Sequence, residues 1–175
     1  MRIRNIIAVL CLITSSFAFS QNFGITIDEV RATQEKWGAG IVRIGKVFTD
    51  GGDYTNEALH HILDLYDYND GTVLFKPTLA AAIPFRPTVE GALSYFVGKN
   101  SNFPEDTGFA IKPWTHVRFD NHNIITYGMK AIAMGHYFFT DLSGTETKVE
   151  YTLGFIKRGQ DIKITIQDSS LPYSP

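Results

Sequence analysis

The chain has 175 residues, 44% of them hydrophobic and 19% charged, with 16 basic residues against 18 acidic ones and a single cysteine. That length and apolar content fit one domain with a sizeable core and exclude a disordered chain. The slightly acidic balance argues against a nucleic acid or an anionic membrane as partner, because a phosphate-rich surface requires a basic face.

The first twenty residues have the layout of a secretory signal. Arg2 and Arg4 precede an apolar run, Ile6 to Ile13, and Ala18-Phe19-Ser20 supplies small-x-small ahead of Gln21. Cleavage is expected after Ser20, which gives a leader over 1–20 and one soluble domain over 21–175, periplasmic or secreted. The apolar run is too short to span a bilayer, and no later segment approaches the roughly 20 apolar residues a span needs. Cys11 lies in the leader, so disulfides, thiolate metal sites and a cysteine nucleophile are excluded from the mature domain. Without Arg2 and Arg4, 14 basic residues face 18 acidic ones, a net charge of about −4.

After a short lead, Asp28 is placed to cap a helix whose apolar positions Val30, Trp37, Ile41, Ile44 and Phe48 recur at helical spacing. Gly38 and Gly40 within it each cost about 1 kcal/mol relative to alanine, which implies that something packs close against that turn. A second helix, Thr55 to about Tyr68, buries Ala58, Leu59, Ile62, Leu65 and Tyr66 and turns His60, His61, Asp64 and Asp67 outward.

The stretch Val73 to Gly98 is the densest in structural signals. Val73 to Lys76 has strand propensity, and Pro77, which cannot donate to a sheet ladder, ends it. Pro84 and Pro87 keep 80–87 irregular, Thr88 is a good N-cap, and Val89, Ala92, Leu93, Phe96 and Val97 form the apolar side of a helix that Gly98 ends. This arrangement sets Thr78, Arg86, Ser94 and Tyr95 among apolar neighbours, with Thr78 a candidate partner for the Tyr95 hydroxyl. A pocket is the expected result.

Lys99 to Pro113 is too polar for a core strand, and Glu105, Asp106 and Asp120 read as solvated loop charges. The remainder predicts antiparallel strands: Trp114–Phe119, a turn through 121–123, Ile124–Tyr127, Lys130–Asp141, Lys148–Arg158 and Asp161–Ser169. Helices first and hairpin-linked strands later is an α+β pattern, with the helices on one sheet face. In the last strand Ile162, Ile164 and Ile166 mark the core face, and unbroken alternation carries Asp168 and Ser170 onto it.

The plain reading of Thr78 and Tyr95 is a satisfied core hydrogen bond, and of Asp168 a strand-end carboxylate. Their convergence on one cavity is harder to explain that way. No metal site is expected: His60 and His61 are adjacent and so lie on different helix faces, His122 sits in a turn, and His116 and His136 lie on separate strands. Neither a phosphate loop nor a nucleophile elbow is present.

The segments VLFKPTLAAAIPFRPTVEGALSYFVG, EDTGFAIKPW, VRFDN, AMGHYFFTD, VEYTLGFIKR and SSLPYSP together resemble the iota-class carbonic anhydrases and their bacterial relatives. Those proteins belong to the NTF2-like superfamily, related to the association domain of calmodulin-dependent kinase II. The resemblance implies a cone of curved antiparallel sheet wrapped by three helices, dimeric through the sheet. It also implies reversible hydration of carbon dioxide to bicarbonate, without a metal or other cofactor in part of the family. Carried over position by position, the bicarbonate-holding residues are Thr78, Tyr95 and Ser170. Where the family often has three histidines before two serines, this chain reads Ile166-Gln167-Asp168-Ser169-Ser170, a departure that weakens a metal-dependent version most. The expectation is therefore a metal-free carbonic anhydrase in which Thr78 and Tyr95 orient water and product and Ser170 donates to bicarbonate. Asp168 is the candidate base, provided burial raises its pKa. Two alternatives use the same pocket: a non-catalytic module binding a small ligand or anion, and an isomerase or dehydratase with Asp168 as base.

Overall fold

The structure, a computed structural model, describes residues 24–175; the expected leader over 1–20, with Cys11, lies outside the described residues. Three helices come first, α1 (Ile27–Thr49), α2 (Tyr54–Leu65) and α3 (Val89–Val97), with β1 (Leu74–Lys76) between α2 and α3. Four long strands follow: β2 (His116–Tyr127), β3 (Lys130–Thr140), β4 (Glu146–Arg158) and β5 (Asp161–Ser170). They form one sheet in the order β1-β5-β4-β3-β2, with every pairing antiparallel except the parallel edge pair β1 and β5. The helices pack on one face of that sheet, and the architecture is the expected α+β cone. No helix among the described residues is long and apolar enough to cross a membrane.

Local chemistry explains the helix boundaries. The α1 cap is Thr26 rather than Asp28: the Thr26 hydroxyl accepts from the Glu29 amide, and the Glu29 carboxylate accepts from the Thr26 amide at 2.8 Å. Asp53 caps α2 and Thr88 caps α3, each accepting an amide three residues on. The second helix is shorter than expected. It stops at Leu65 and a single 3-10 turn, Asp67–Asn69, replaces its last turn.

The two glycines of α1 are where close approach was expected. A Cβ on Gly38 would sit 3.1 Å from Val117 Cβ, and one on Gly40 only 2.1 Å from His61 Nδ1. His61 is therefore buried between α1, Trp37 and Phe96, where the helical pattern had turned it outward. Burial holds its imidazole neutral, with the pKa lowered to about 3. Asp67 is likewise buried, and Arg158 pairs with it at 2.7 Å.

Two bulges shape the sheet. The expected turn at 121–123 is instead a slip within one continuous strand, β2, where register passes from Asn121 to Asn123. Gly135 faces this bulge, and a Cβ there would lie 2.2 Å from the Asp120 carbonyl. The second slip is in β5: Ile164 pairs with Phe155 and Ile166 with Gly154, leaving Thr165 as the extra residue. That one residue reverses the alternation beyond it. Ile164, Gln167 and Ser169 are buried on the helix side, while Asp168 and Ser170 are exposed.

The core between sheet and helices is strongly aromatic. Trp37 stacks on Tyr137 at 5.7 Å with planes 4° apart, and Phe119 and Phe139 meet it edge-on.

Candidate active site

Four elements bring hydroxyls to the inner face of the sheet where β5 meets β1. Phe75 of β1 points into the core opposite Gln167. Pro77 ends the strand, and Thr78 follows at the start of an irregular loop. α3 carries Tyr95 on its buried side, β3 contributes Tyr137, and the reversed end of β5 contributes Gln167 and Ser169.

These groups address one another. Thr78 and the Leu79 amide lie near the Tyr95 hydroxyl, and Ser169, Gln167 and Thr78 lie near that of Tyr137. Gln167 also accepts from the Tyr66 hydroxyl, which in turn accepts from Trp37 Nε1 at 2.8 Å. Burial pushes the Tyr95 phenol pKa up, and the nearby donors only partly offset this. Tyr137 and Tyr66 are raised by burial in the same way. All three phenols remain protonated at neutral pH and so carry a hydroxyl hydrogen to donate, as that of Tyr66 does to Gln167. Around them stand Phe75, edge-on to Tyr95 at 5.9 Å, and Phe109, stacked on it at 5.5 Å.

Thr78 lies close to Tyr95 on the inner face, whereas Ser170 and Asp168 lie on the other side of the sheet. The Asp168 side chain is 59% exposed and pairs with Lys76 at 3.0 Å. Asp168 is thus not buried, and it faces away from the hydroxyl cluster. Both residues instead line an outer-face groove of about 410 Å³ with His122, His136 and Glu150. The cause is the slip at Thr165, which puts Ser169 inward where unbroken alternation puts Ser170. Among the described residues no three histidine, cysteine, aspartate or glutamate side chains are grouped as ligands of a metal ion.

Glu105 and Asp106 are not solvated loop charges. Asp106 is 1% exposed, receives Arg86 Nη2 at 2.9 Å and accepts from the Ser94 hydroxyl at 2.6 Å. Glu105 accepts from three successive backbone amides of the loop that carries Thr78.

The family described as metal-independent carbonic anhydrase matches residues 28–171. The chain belongs to that family. The metal-independent carbonic anhydrase of Nostoc sp. (strain PCC 7120) is 42% identical to it over 156 residues, covering 87% of this chain and 76% of the relative. A crystal structure of the iota-carbonic anhydrase from a cyanobacterium, complexed with bicarbonate, superposes with a TM-score of 0.85 at 41% identity, covering 88% of this chain and 96% of that one. A structure from the NTF2-like family of Streptomyces avermitilis, 10% identical with a TM-score of 0.53 over 85% of this chain and 96% of that one, shares the fold alone.

For this member of the metal-independent carbonic anhydrases, sequence reasoning does not find Tyr137 and Gln167. Tyr137 has a usable signal, because in Ala131-Ile132-Ala133-Met134-Gly135-His136-Tyr137 the inward positions are the odd-numbered ones and Tyr137 is the polar one among them. Gln167 has none, because its facing depends on the bulge.

Proposed function

We propose that this chain catalyses the reversible hydration of carbon dioxide to bicarbonate at the buried hydroxyl cluster, without a metal. The observation that carries this reading is the convergence of Thr78, Tyr95, Tyr137 and Ser169 on the inner face. The family membership supports it, and so does the likeness to an iota-carbonic anhydrase complexed with bicarbonate.

The chemistry follows from the groups present. Carbon dioxide is apolar, and the rings of Phe75, Tyr95 and Phe109 offer it an apolar wall. As a water oxygen bonds to the carbon, one C=O electron pair moves onto oxygen and the water gives up a proton. Charge therefore develops on oxygens surrounded by neutral donors: the hydroxyls of Thr78, Tyr95, Tyr137 and Ser169 and the Leu79 amide. Donors aimed in advance at a developing oxyanion stabilise the transition state, each by about 10²–10³ in rate. The cluster itself contains no carboxylate or imidazole, so in this reading the proton that the water gives up passes to solvent. In this reading Thr78 and Tyr95 keep the roles the resemblance implied, and Ser169 takes the one carried over to Ser170.

Stopped-flow hydration after exhaustive chelation tests the reading, on protein beginning at Gln21 with Tyr95→Phe alongside. Activity that survives chelation and falls about 10²-fold in the variant is expected. Hydration no faster than buffer would overturn it and leave a ligand-binding module.

Two further expectations belong to the same reading. The N-terminal leader sends the domain out of the cytoplasm, and N-terminal sequencing of secreted material should begin at Gln21. The domain is also a homodimer through the outer sheet face. In favour of this, Ile125, Ile132, Gly154, Ile166 and Leu74 form an apolar row across all five strands, in register and on the side away from the helices. Ile125 and Leu74 are 59% and 63% exposed. Lys130 flanks this row on one side, and the Lys76–Asp168 ion pair flanks it on the other. Ile132→Lys should convert a dimer to a monomer in size-exclusion chromatography with light scattering.

A further inference from the structure

The loop 77–87, between β1 and α3, carries two of the groups that address Tyr95, the Thr78 hydroxyl and the Leu79 amide. Such a loop has no ladder of its own to hold it. At its far end it is anchored through Arg86, whose amide donates to the Phe75 carbonyl at 2.8 Å and whose carbonyl accepts from the Tyr68 hydroxyl at 2.7 Å. The Arg86 guanidinium is fully buried over the Phe103 ring and tied to Asp106. The stretch between Thr78 and Arg86 is held differently. The amides of Ala81 and Ala82 donate to Glu105 Oε2 at 2.8 and 2.9 Å, and that of Ile83 donates to Oε1 at 2.8 Å. Both oxygens of one carboxylate are engaged by three consecutive amides. The adjacent Asp106 fixes both Arg86 and Ser94 of α3, the helix that bears Tyr95. Glu105 and Asp106 thus join the loop and the helix whose hydroxyls meet at the cluster.

We propose that Glu105 is a positioning residue for carbon dioxide hydration: by gathering the Ala81, Ala82 and Ile83 amides it holds the loop in the one conformation that presents Thr78 and the Leu79 amide to Tyr95. Glu105 lies outside the cluster and acts through the loop. The proposal rests on the hydration reading of the site. Three amides on one carboxylate also favour its charged form, and they lower the Glu105 pKa to about 2, with Arg86 adding a smaller pull. The clamp is therefore fully ionised wherever the protein is folded at ordinary pH.

The test compares wild type with Glu105→Ala and Glu105→Gln, the second retaining one carbonyl acceptor and nearly the same volume. Hydrogen exchange of the Ala81, Ala82 and Ile83 amides reads the clamp without reference to activity, and stopped-flow hydration reads its consequence. Exchange at those amides at least 10-fold faster in Glu105→Ala is expected, together with a 10- to 100-fold loss of kcat/KM and an intermediate loss in Glu105→Gln. Unchanged exchange in both variants would overturn the clamp. Faster exchange with kcat/KM equal to wild type would overturn the positioning role, leaving a purely structural one. Wild type inactive with variant amides still exchanging faster would sink the hydration reading while the clamp stood, so the two failures are distinguishable. Should Glu105→Ala not fold, Glu105→Gln carries both readouts.

Discussion

Removing the Asp106 carboxylate is the most demanding test of how the loop and α3 are held together. Arg86 is 0% exposed and Asp106 1%, their ion pair closes at 2.9 Å, and the next carboxylate, Glu105, is 3.7 Å away. Among the described residues Arg86 Nε and Nη1 are buried without hydrogen-bond partners, so beyond Glu105 and the Phe103 ring the guanidinium has little other compensation. Asp106→Ala leaves a buried cation facing a void, and breaking such a pair costs about 3–5 kcal/mol. A domain of this kind has only about 5–15 kcal/mol of stability in total. At about 2–4 °C per kcal/mol for a chain of this size, the melting temperature should fall by roughly 6–20 °C. Urea denaturation of wild type, Asp106→Ala, Arg86→Met and the double variant measures this directly. The double variant should be more stable than Asp106→Ala, because it removes the stranded charge as well. A loss below about 1 kcal/mol in Asp106→Ala, or a double variant no better than that single one, would refute the argument.

Ser169→Ala should lower carbon dioxide hydration by about 10²-fold whereas Ser170→Ala leaves it unchanged; the reverse order in stopped-flow rates would show that the inner face has been assigned to the wrong serine. Gly40→Ala gains about 1 kcal/mol in helix propensity but forces a methyl to 2.1 Å from His61 Nδ1. With overpacking near 3 kcal/mol, a net loss of about 2 kcal/mol is expected in denaturant melts, partly restored by adding His61→Ala. A Gly40→Ala protein more stable than wild type would contradict it. The Glu105 carboxylate, lowered from 4.5 to about 2, contributes stability that is complete above its unfolded value and is lost as pH falls toward the folded one. Carbon-13 titration of that side chain should show a midpoint near 2, and a midpoint at the ordinary carboxylate value would count against the three-amide clamp.

Much of the fold is legible because its signals are local. Thr88 and Gly98 bracket α3 by capping chemistry, and the hairpin strands follow from alternation between turns. Thr78 and Tyr95 are placed by the same short stretch, with the strand break at Pro77 just before the first and Pro84 and Pro87 between the two. What escapes sequence reading is long-range. His61 looks solvent-facing until Gly40, on another helix, makes room for its ring. Asp106 looks like a loop charge until Arg86, twenty residues earlier, is found buried beside it. The facing of Gln167 and Ser169 depends on a slip at Thr165 that no glycine or proline of β5 itself marks, the glycine at the slip being Gly154 on the neighbouring strand, in a run where isoleucine recurs at every second position without a break.

That slip has a consequence for how the molecule can vary. The three isoleucines of β5 form one unbroken rhythm, yet Ile162 and Ile164 serve the helix-covered core while Ile166 joins the apolar row on the opposite surface. A single half-period change of phase thus sets Gln167 and Ser169 on the inner face and completes the outer row at the same time. If the ladder slid into an unbroken register beyond Ile164, Ile166, Asp168 and Ser170 would turn inward and Gln167 and Ser169 outward, burying a carboxylate and opening the outer row in one step. Single substitutions can alter the pocket or the surface separately, but a shift of the strand against β4 changes both together.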